Sequence, residues 1–200
     1  CIVPFVRGRL RIRPHDEIVA EFNQVKDTAK DIYLLGQNVN EYPGFPELLA
    51  ELAQQPGDFM LHFLSAHPKD FDVATIKVMA QYPKIAHDVH LPMQSGCDKI
   101  LKLMNRKYTV ADYLEKIKLL REYMPDIHIT TDIICGFPGE TEEDFATTVE
   151  VVKQIKFSAA YIFPYSNRSG TAADKMAGQV PFQTRKARAT KLVEIMRKMS

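Results

Sequence analysis

Ile127-His-Ile-Thr-Thr-Asp-Ile-Ile-Cys-Gly-Phe-Pro-Gly-Glu-Thr-Glu-Glu-Asp-Phe145 decides the fold class. Ile127–Ile134 is largely apolar or β-branched, the pattern of a buried strand. Glycines follow at 136 and 139, then Thr141-Glu-Glu-Asp144, a capping-box pattern with Asp in place of Glu or Gln. Phe145, Val149 and Val152 then recur at helical spacing. The stretch therefore reads as one strand–turn–helix unit.

Similar runs lie at Asp31–Leu35, Phe59–Leu64, Ala86–Leu91 and Ala159–Phe163. Helical spacing fills the gaps between them: Ile18, Phe22 and Val25; Tyr113, Ile117 and Leu120; and, more weakly, Val73, Ile76 and Met79. Thr109-Val-Ala-Asp112 repeats the capping pattern, and Pro14 and Pro46 precede acidic first turns. Five strands alternating with helices predict an α/β fold with a parallel sheet, either doubly wound or a barrel. In both, ligands bind at the carboxyl ends of the strands. A last helix over Arg185–Lys198 puts Leu192, Ile195, Met196 and Met199 on one face, and its basic residues Arg185, Lys186, Arg188 and Lys191 read as surface.

Composition narrows the class. The 200 residues carry 26 Lys+Arg against 25 Asp+Glu, a net charge of +1, with 46% hydrophobic residues. That balance argues against disorder and against a globally basic nucleic-acid binder. No apolar run approaches a membrane span, and no secretory signal is visible. Three widely spaced cysteines, at 1, 97 and 135, make no disulfide framework and fit a reducing cytosol. The chain opens at Cys1 without Met, and reads as cut from a longer polypeptide.

The strand ends are where chemistry is expected. They carry Gly36-Gln37-Asn38, Ser65-Ala-His-Pro68, Pro92-Met-Gln94-Ser95-Gly96, Gly136-Phe137-Pro138-Gly139-Glu140, and Tyr165-Ser-Asn-Arg168. Five polar loops at one end of a sheet suggest a pocket for a hydrogen-bonding ligand. The glycine turn before a helix would bring backbone N–H groups to that ligand and favour negative charge. It is neither a dinucleotide fingerprint nor a P-loop. Asp132, an acid inside an apolar strand, needs either an ion partner or a ligand hydroxyl. His87, Asp88 and His90 share a strand, where 87 and 90 face opposite sides, so no metal site is expected there. Arg7, Arg9, Arg11 and Arg13 alternate along one side of an extended segment. Such a row suits RNA phosphates; the plain alternative is a solvated basic arm.

In order along the chain, Cys1-Ile-Val-Pro-Phe with Arg7-Gly-Arg, Leu34-Leu-Gly-Gln-Asn-Val-Asn40, Ser65-Ala-His-Pro68, His90-Leu-Pro-Met-Gln-Ser-Gly96, Leu103-Met-Asn-Arg-Lys-Tyr-Thr109, Thr131-Asp-Ile-Ile-Cys-Gly-Phe-Pro-Gly-Glu-Thr141 and Phe163-Pro-Tyr-Ser-Asn-Arg-Ser-Gly-Thr171 resemble the radical S-adenosylmethionine (SAM) methylthiotransferases. The resemblance covers essentially the whole chain. It implies a partial (β/α)6 radical SAM barrel over 1–182, lacking its first strand here, with 183–200 leading towards an RNA-binding TRAM domain and an N-terminal cluster-binding domain absent. Gly36-Gln-Asn-Val-Asn40 resembles the branch that methylthiolates N6-isopentenyladenosine beside the tRNA anticodon. The alternatives are another member of the family, acting on threonylcarbamoyl-adenosine or a ribosomal-protein aspartate, and a cluster-free phosphate- or RNA-binding barrel.

The resemblance also implies roles. Cys1 aligns with the third cysteine of CxxxCxxC and would ligate a 4Fe–4S cluster, one of two in a complete enzyme; one cysteine cannot hold it, so the segment alone should be inactive. Gly36, Gln37 and Asn38 would lie near the methionyl end of SAM, with Ser65, Gln94 and Ser95 near its polar groups. Gly136, Phe137, Pro138 and Gly139 would line its adenine, and Arg106 would take its carboxylate or an RNA phosphate. Asp132 would meet ribose or substrate, and Tyr165 would stack on the flipped base. Arg168 would join the arginine row on RNA. A monomer, a flavodoxin- or ferredoxin-type reductant and a cytoplasmic location complete the expectation.

Overall fold

The computed structural model describes residues 11–199. Helices α1 (His15–Val25), α2 (Phe45–Gln54), α3 (Val73–Gln81), α4 (Asp98–Leu103), α5 (Val110–Tyr123), α6 (Glu142–Ile155) and α7 (Phe182–Met199) alternate with strands β1 (Asp31–Leu34), β2 (Met60–Phe63), β3 (Asp88–His90), β4 (His128–Cys135) and β5 (Ala159–Pro164). β1 pairs with β2 and β4 with β5, both in parallel. Two strands make one sheet and β3–β4–β5 the other; among the described residues they do not close into a barrel. All five expected strands are present: the first three are shortened by one to three residues, β4 is shifted by one, and β5 runs one residue further.

The chain packs as two compact units, one of residues 11–91 and 115–129, the other of 92–114 and 130–199. In the first, α2 buries Phe45, Leu48, Leu49 and Leu52, and Phe45 meets Phe63 of β2 edge to face at 5.3 Å. An isolated parallel bridge, Leu61 to Ile85, extends the pairing of β2. His62 on β2 has Nδ1 2.9 Å from Asp88 and Nε2 3.2 Å from Asp31, and stacks on Tyr33 at 4.5 Å. The expected acid–histidine grouping around 87–90 is thus resolved into pairs: Asp88 serves His62, and His87 meets Asp126 at 2.8 Å. Among the described residues no three His, Cys, Asp or Glu side chains gather as a metal site.

In the second unit β4 alternates along its length, with Ile129, Thr131, Ile133 and Cys135 buried and Thr130, Asp132 and Ile134 half-buried. Its partner β5 leaves Tyr161 and Phe163 exposed, opposite Asp132 and Ile134 in register. Both capping boxes form. Thr109 Oγ1 accepts from Asp112 N, and Thr141 Oγ1 accepts from Asp144 N at 3.2 Å, with each Asp returning to the Thr backbone N–H. Among the described residues no helix is long and apolar enough to cross a membrane.

Asp144 does more than cap. It accepts from Lys99 at 2.6 Å and from the Cys97 thiol at 3.3 Å. Burial pushes its carboxyl up, but the bonds from Lys99 and the Thr141 N–H outweigh this and hold it at about 2. A depressed carboxyl stabilises the fold above its ordinary value of 3.8 and stops doing so as pH falls through about 2. Asp144→Ala is therefore expected to cost about 1–2 kcal/mol at pH 7 and much less near pH 2. Urea unfolding at the two pH values checks this; an equal cost at both would remove the charge from the account.

Candidate functional site

Each unit brings some of the strand-end residues together. In the first, the loop after β1 and the loop after β2 are tied by their own polar groups. Val39 N donates to Ser65 O at 3.3 Å. The buried Asn40 amide makes a reciprocal pair with the His67 backbone: His67 N donates to Oδ1 at 2.7 Å, and Nδ2 donates to His67 O at 3.0 Å. Gly36 and Gln37 stand exposed ahead of this pair, and Ser65 is exposed with φ 65°. Asn38 Nδ2 donates to Glu41 at 2.8 Å and Asp70 at 3.3 Å. Those two carboxylates fix which end of the amide is NH2. Asn38 Oδ1 is left buried with no partner. A buried acceptor without a donor costs on the order of 1–3 kcal/mol unless water or a ligand group supplies one.

In the second unit, Gln94 is buried with φ 68° and bridges into β4, its N–H reaching Asp132 O at 2.8 Å and its carbonyl accepting from Ile134 N at 3.0 Å. Its neighbour Ser95 turns inward: its hydroxyl lies 3.4 Å from Thr148 and accepts from Cys97 N. Asp132 is half-buried and engaged, as is Arg106 in the loop after α4. Phe137 and Pro138 are buried, and Phe137 packs edge-on to Tyr165 at 5.2 Å.

The glycine turn is not the N–H cradle that its sequence suggests. Gly136 and Gly139 take the positive φ values of 75° and 86° that the turn requires. Their donors, however, are spent inside the unit. Gly136 N donates to the Glu140 carboxylate at 2.8 Å, Gly139 N to Gly178 O at 2.9 Å, and Glu140 N to Phe137 O at 3.0 Å. The start of α6 is capped by Thr141. With these N–H groups spent, the turn offers a phosphate no free donors of the kind an anion cradle needs. Burial pushes the Glu140 carboxyl up, while the Gly136 N–H and Arg188 pull it back.

Arg188 comes from α7 and is itself buried. Its guanidinium donates to Glu140 Oε1 at 2.7 Å and to Glu142 at 2.6 Å. One turn earlier, Arg185 donates to Val180 O at 2.6 Å, Tyr165 O at 3.0 Å and Asn167 Oδ1 at 2.7 Å. Its guanidinium also lies 5.2 Å from the Tyr165 ring. The expectation that Arg185 and Arg188 face solvent is therefore corrected: they fall on the same stripe of α7 as Ala189, Leu192 and Met196, and that stripe packs inward. Tyr165 is 9% exposed, and its hydroxyl is buried without a partner. Covered this way, it offers a hydroxyl rather than a ring face. Cys135 is a buried thiol pushed up to about 12 by burial and then by Glu140; Cys97 is pushed up by burial as well. Neither suits a thiolate ligand.

Of the arginine row, Arg7 and Arg9 lie outside the described residues, as does Cys1. Arg11 and Arg13 are exposed, and Arg13 pairs with Glu21 and with Glu17 at 3.8 Å. Arg168 is exposed in the loop after β5. Three features are not anticipated by the sequence reading: the buried arginines of α7, the aspartates around His62, and the exposed aromatic pair on β5. Only the arginines had left a signal, because 185, 188, 192 and 196 keep helical spacing with an apolar stripe.

Known proteins resemble this chain in sequence and in fold. The chain is 45% identical over its whole length to tRNA-2-methylthio-N(6)-dimethylallyladenosine synthase of Acetivibrio thermocellus, of which it covers 43%. It is 44% identical over 98% of its length to the protein of the same name from Thermodesulfovibrio yellowstonii, covering 46% of that protein. The chain thus spans somewhat under half the length of the curated relatives it matches. Among solved structures, coproporphyrinogen III oxidase of Escherichia coli, a radical SAM enzyme, superposes with a TM-score of 0.72 at 15% identity, over 92% of this chain and 44% of that one. TsrM from Kitasatospora setae, a radical S-adenosylmethionine methyltransferase, gives 0.61 at 18% identity, over 76% of this chain and 31% of its own. These likenesses establish the fold as a partial radical SAM barrel. The Radical SAM superfamily matches residues 1–152, a span that starts at the opening cysteine and takes in the glycine turn with the helix it caps, and on that match the chain belongs to this superfamily.

Proposed function

We propose that this chain is the central part of an enzyme that methylthiolates C2 of N6-isopentenyladenosine in the tRNA anticodon loop, using S-adenosylmethionine and a 4Fe–4S cluster. Two observations, one in each unit, support the SAM reading. The glycine turn has its Gly136, Gly139 and Glu140 N–H groups engaged, which leaves them unavailable to a phosphate. The loop after β1 holds the orphan acceptor Asn38 Oδ1, which fits a donor such as an ammonium. SAM is a nucleoside without phosphate that carries an ammonium group, and the residues present fit it. The phosphate-binding alternative loses ground by the same argument. The tRNA reading rests on the names of the relatives, and the second cluster, the reductant and the monomer remain parts of this proposal.

Bound beside a reduced cluster, SAM supplies a carbon radical able to take a hydrogen that no side-chain base could remove. The residues of this chain bind and orient. Asn38, with Gly36 and Gln37, would receive the methionyl end; Gln94 and Ser95 would shape the strand end before α4; Gly136 to Gly139 would give the adenine a backbone edge, with Phe137 and Pro138 packed beneath it. Cys1 ligates the cluster with thiols contributed from elsewhere in the polypeptide. Asp132 faces the substrate beside Tyr161 and Phe163, whose exposed rings suit a purine better than the covered Tyr165. Arg106 and Arg168, with Arg7, Arg9, Arg11 and Arg13, meet SAM carboxylate or RNA phosphates.

The test uses the full polypeptide, reconstituted anaerobically with iron and sulfide, and tRNA lacking the methylthio group. Nucleoside mass spectrometry should show the methylthio increment on N6-isopentenyladenosine, dependent on SAM and reductant. An increment on threonylcarbamoyl-adenosine or on a ribosomal protein would move the substrate. No SAM cleavage by cluster-loaded protein would end the reading.

A further inference from the structure

Two arginines of α7, one turn apart, converge on the same glycine by different routes. Arg188 reaches it through a carboxylate: Glu140 Oε1 accepts the Arg188 guanidinium at 2.7 Å and the Gly136 N–H at 2.8 Å on one oxygen. Arg185 reaches it by volume: a Cβ on Gly136 would lie 2.5 Å from Arg185 Cγ, so the arginine stem occupies the space over the glycine. Arg185 also holds the carbonyl of Tyr165, whose own N–H is bound to Cys135 O at 2.8 Å. The carboxyl ends of β4 and β5 are thereby fixed from one helix. We propose that Arg188 and Glu140 are a positioning pair that sets the Gly136–Gly139 turn in the shape its nucleoside ligand requires, with Arg185 as the packing stop. This rests on the reading of the turn as a SAM adenine bed.

The physical case is one of position over stability. Glu140 and Arg188 are almost wholly covered, with side-chain exposures of 2% and 7%. Buried ion pairs seldom stabilise a fold relative to apolar residues of similar size, because desolvation offsets the attraction. What the pair supplies is direction. Without a carboxylate the Gly136 N–H loses its acceptor; without Arg188 the carboxylate is buried next to one N–H alone and turns towards solvent. Either change releases the turn at the residue where φ is 75°. Glu142, the other partner of Arg188, is an exposed residue, and no turn N–H depends on it.

The experiment is calorimetric binding of S-adenosylhomocysteine to the full polypeptide, with thermal unfolding of each unliganded variant alongside. Arg188→Met should weaken binding at least tenfold, and Glu140→Gln severalfold, because Gln keeps an acceptor for the Gly136 N–H but not the charge. Arg188→Lys should recover part of the loss, since an ammonium reaches one carboxylate without the fork. Glu142→Ala should bind as the parent does. Folded variants that bind like the parent would overturn the positioning role. So would a loss in Glu142→Ala equal to that in Arg188→Met. If Arg188→Met does not fold, Arg188→Lys and Glu140→Gln decide by the same criterion. A parent protein that fails to bind the ligand would instead overturn the SAM reading itself, so the two failures are distinct.

Discussion

Gly136→Ala is expected to destabilise the fold by about 2–4 kcal/mol and to reduce SAM binding beyond measurement. Two costs add. A Cβ at φ 75° is strained by about 1–2 kcal/mol. That same Cβ would meet Arg185 at 2.5 Å, and forcing an extra carbon into packed surroundings costs about 1–3 kcal/mol. Thermal and urea unfolding of the parent and the variant give the total. Adding Arg185→Ala separates the parts: the double variant should recover the overlap cost and retain the backbone strain, giving a coupling free energy of about 1 kcal/mol or more. Strict additivity of the two substitutions would mean that Arg185 does not fill that space.

Asn40→Ala should cost about 1–3 kcal/mol, the other large effect. The amide satisfies both the N–H and the carbonyl of His67, at 2.7 and 3.0 Å, in a buried position. Truncation takes the Asn40 acceptor from the His67 N–H, at about 1–3 kcal/mol unless water enters, and removes one of two donors to the His67 carbonyl, which keeps the Asp70 N–H at 3.1 Å. The loop carrying Asn38 then loses its anchor to the loop after β2, so weaker SAM binding should accompany the stability loss. Asn40→Asp, which keeps the acceptor for His67 N but places a carboxylate against His67 O, should do no better than Ala. A variant within about 0.5 kcal/mol of the parent would show that the loops do not depend on this pair.

The strands and helices were legible because each rests on local spacing. Phe145, Val149 and Val152 announce α6 from within three turns of its cap, and Thr141 with Asp144 marks where it starts. The strand-end loops were legible by rule, since parallel βα units put them at one end. What the glycine turn offers was not. Whether Gly136 N–H is open or spent depends on Glu140, and whether Glu140 is held depends on Arg188, 48 residues further on. Helical spacing alone assigns an arginine to the surface unless its carboxylate partner is known to lie beneath it. His62 is a similar case: Asp31 and Asp88 come from two other strands, and only the strand register brings them to its two nitrogens.

Tyr161 and Phe163 lie two apart on a strand at the end of its sheet, 56% and 51% exposed. Parallel sheets ordinarily have both faces covered. Aromatic rings exposed in this way make a surface adhesive: it should bind hydrophobic dyes, and lose that habit when a purine analogue or a detergent occupies the rings.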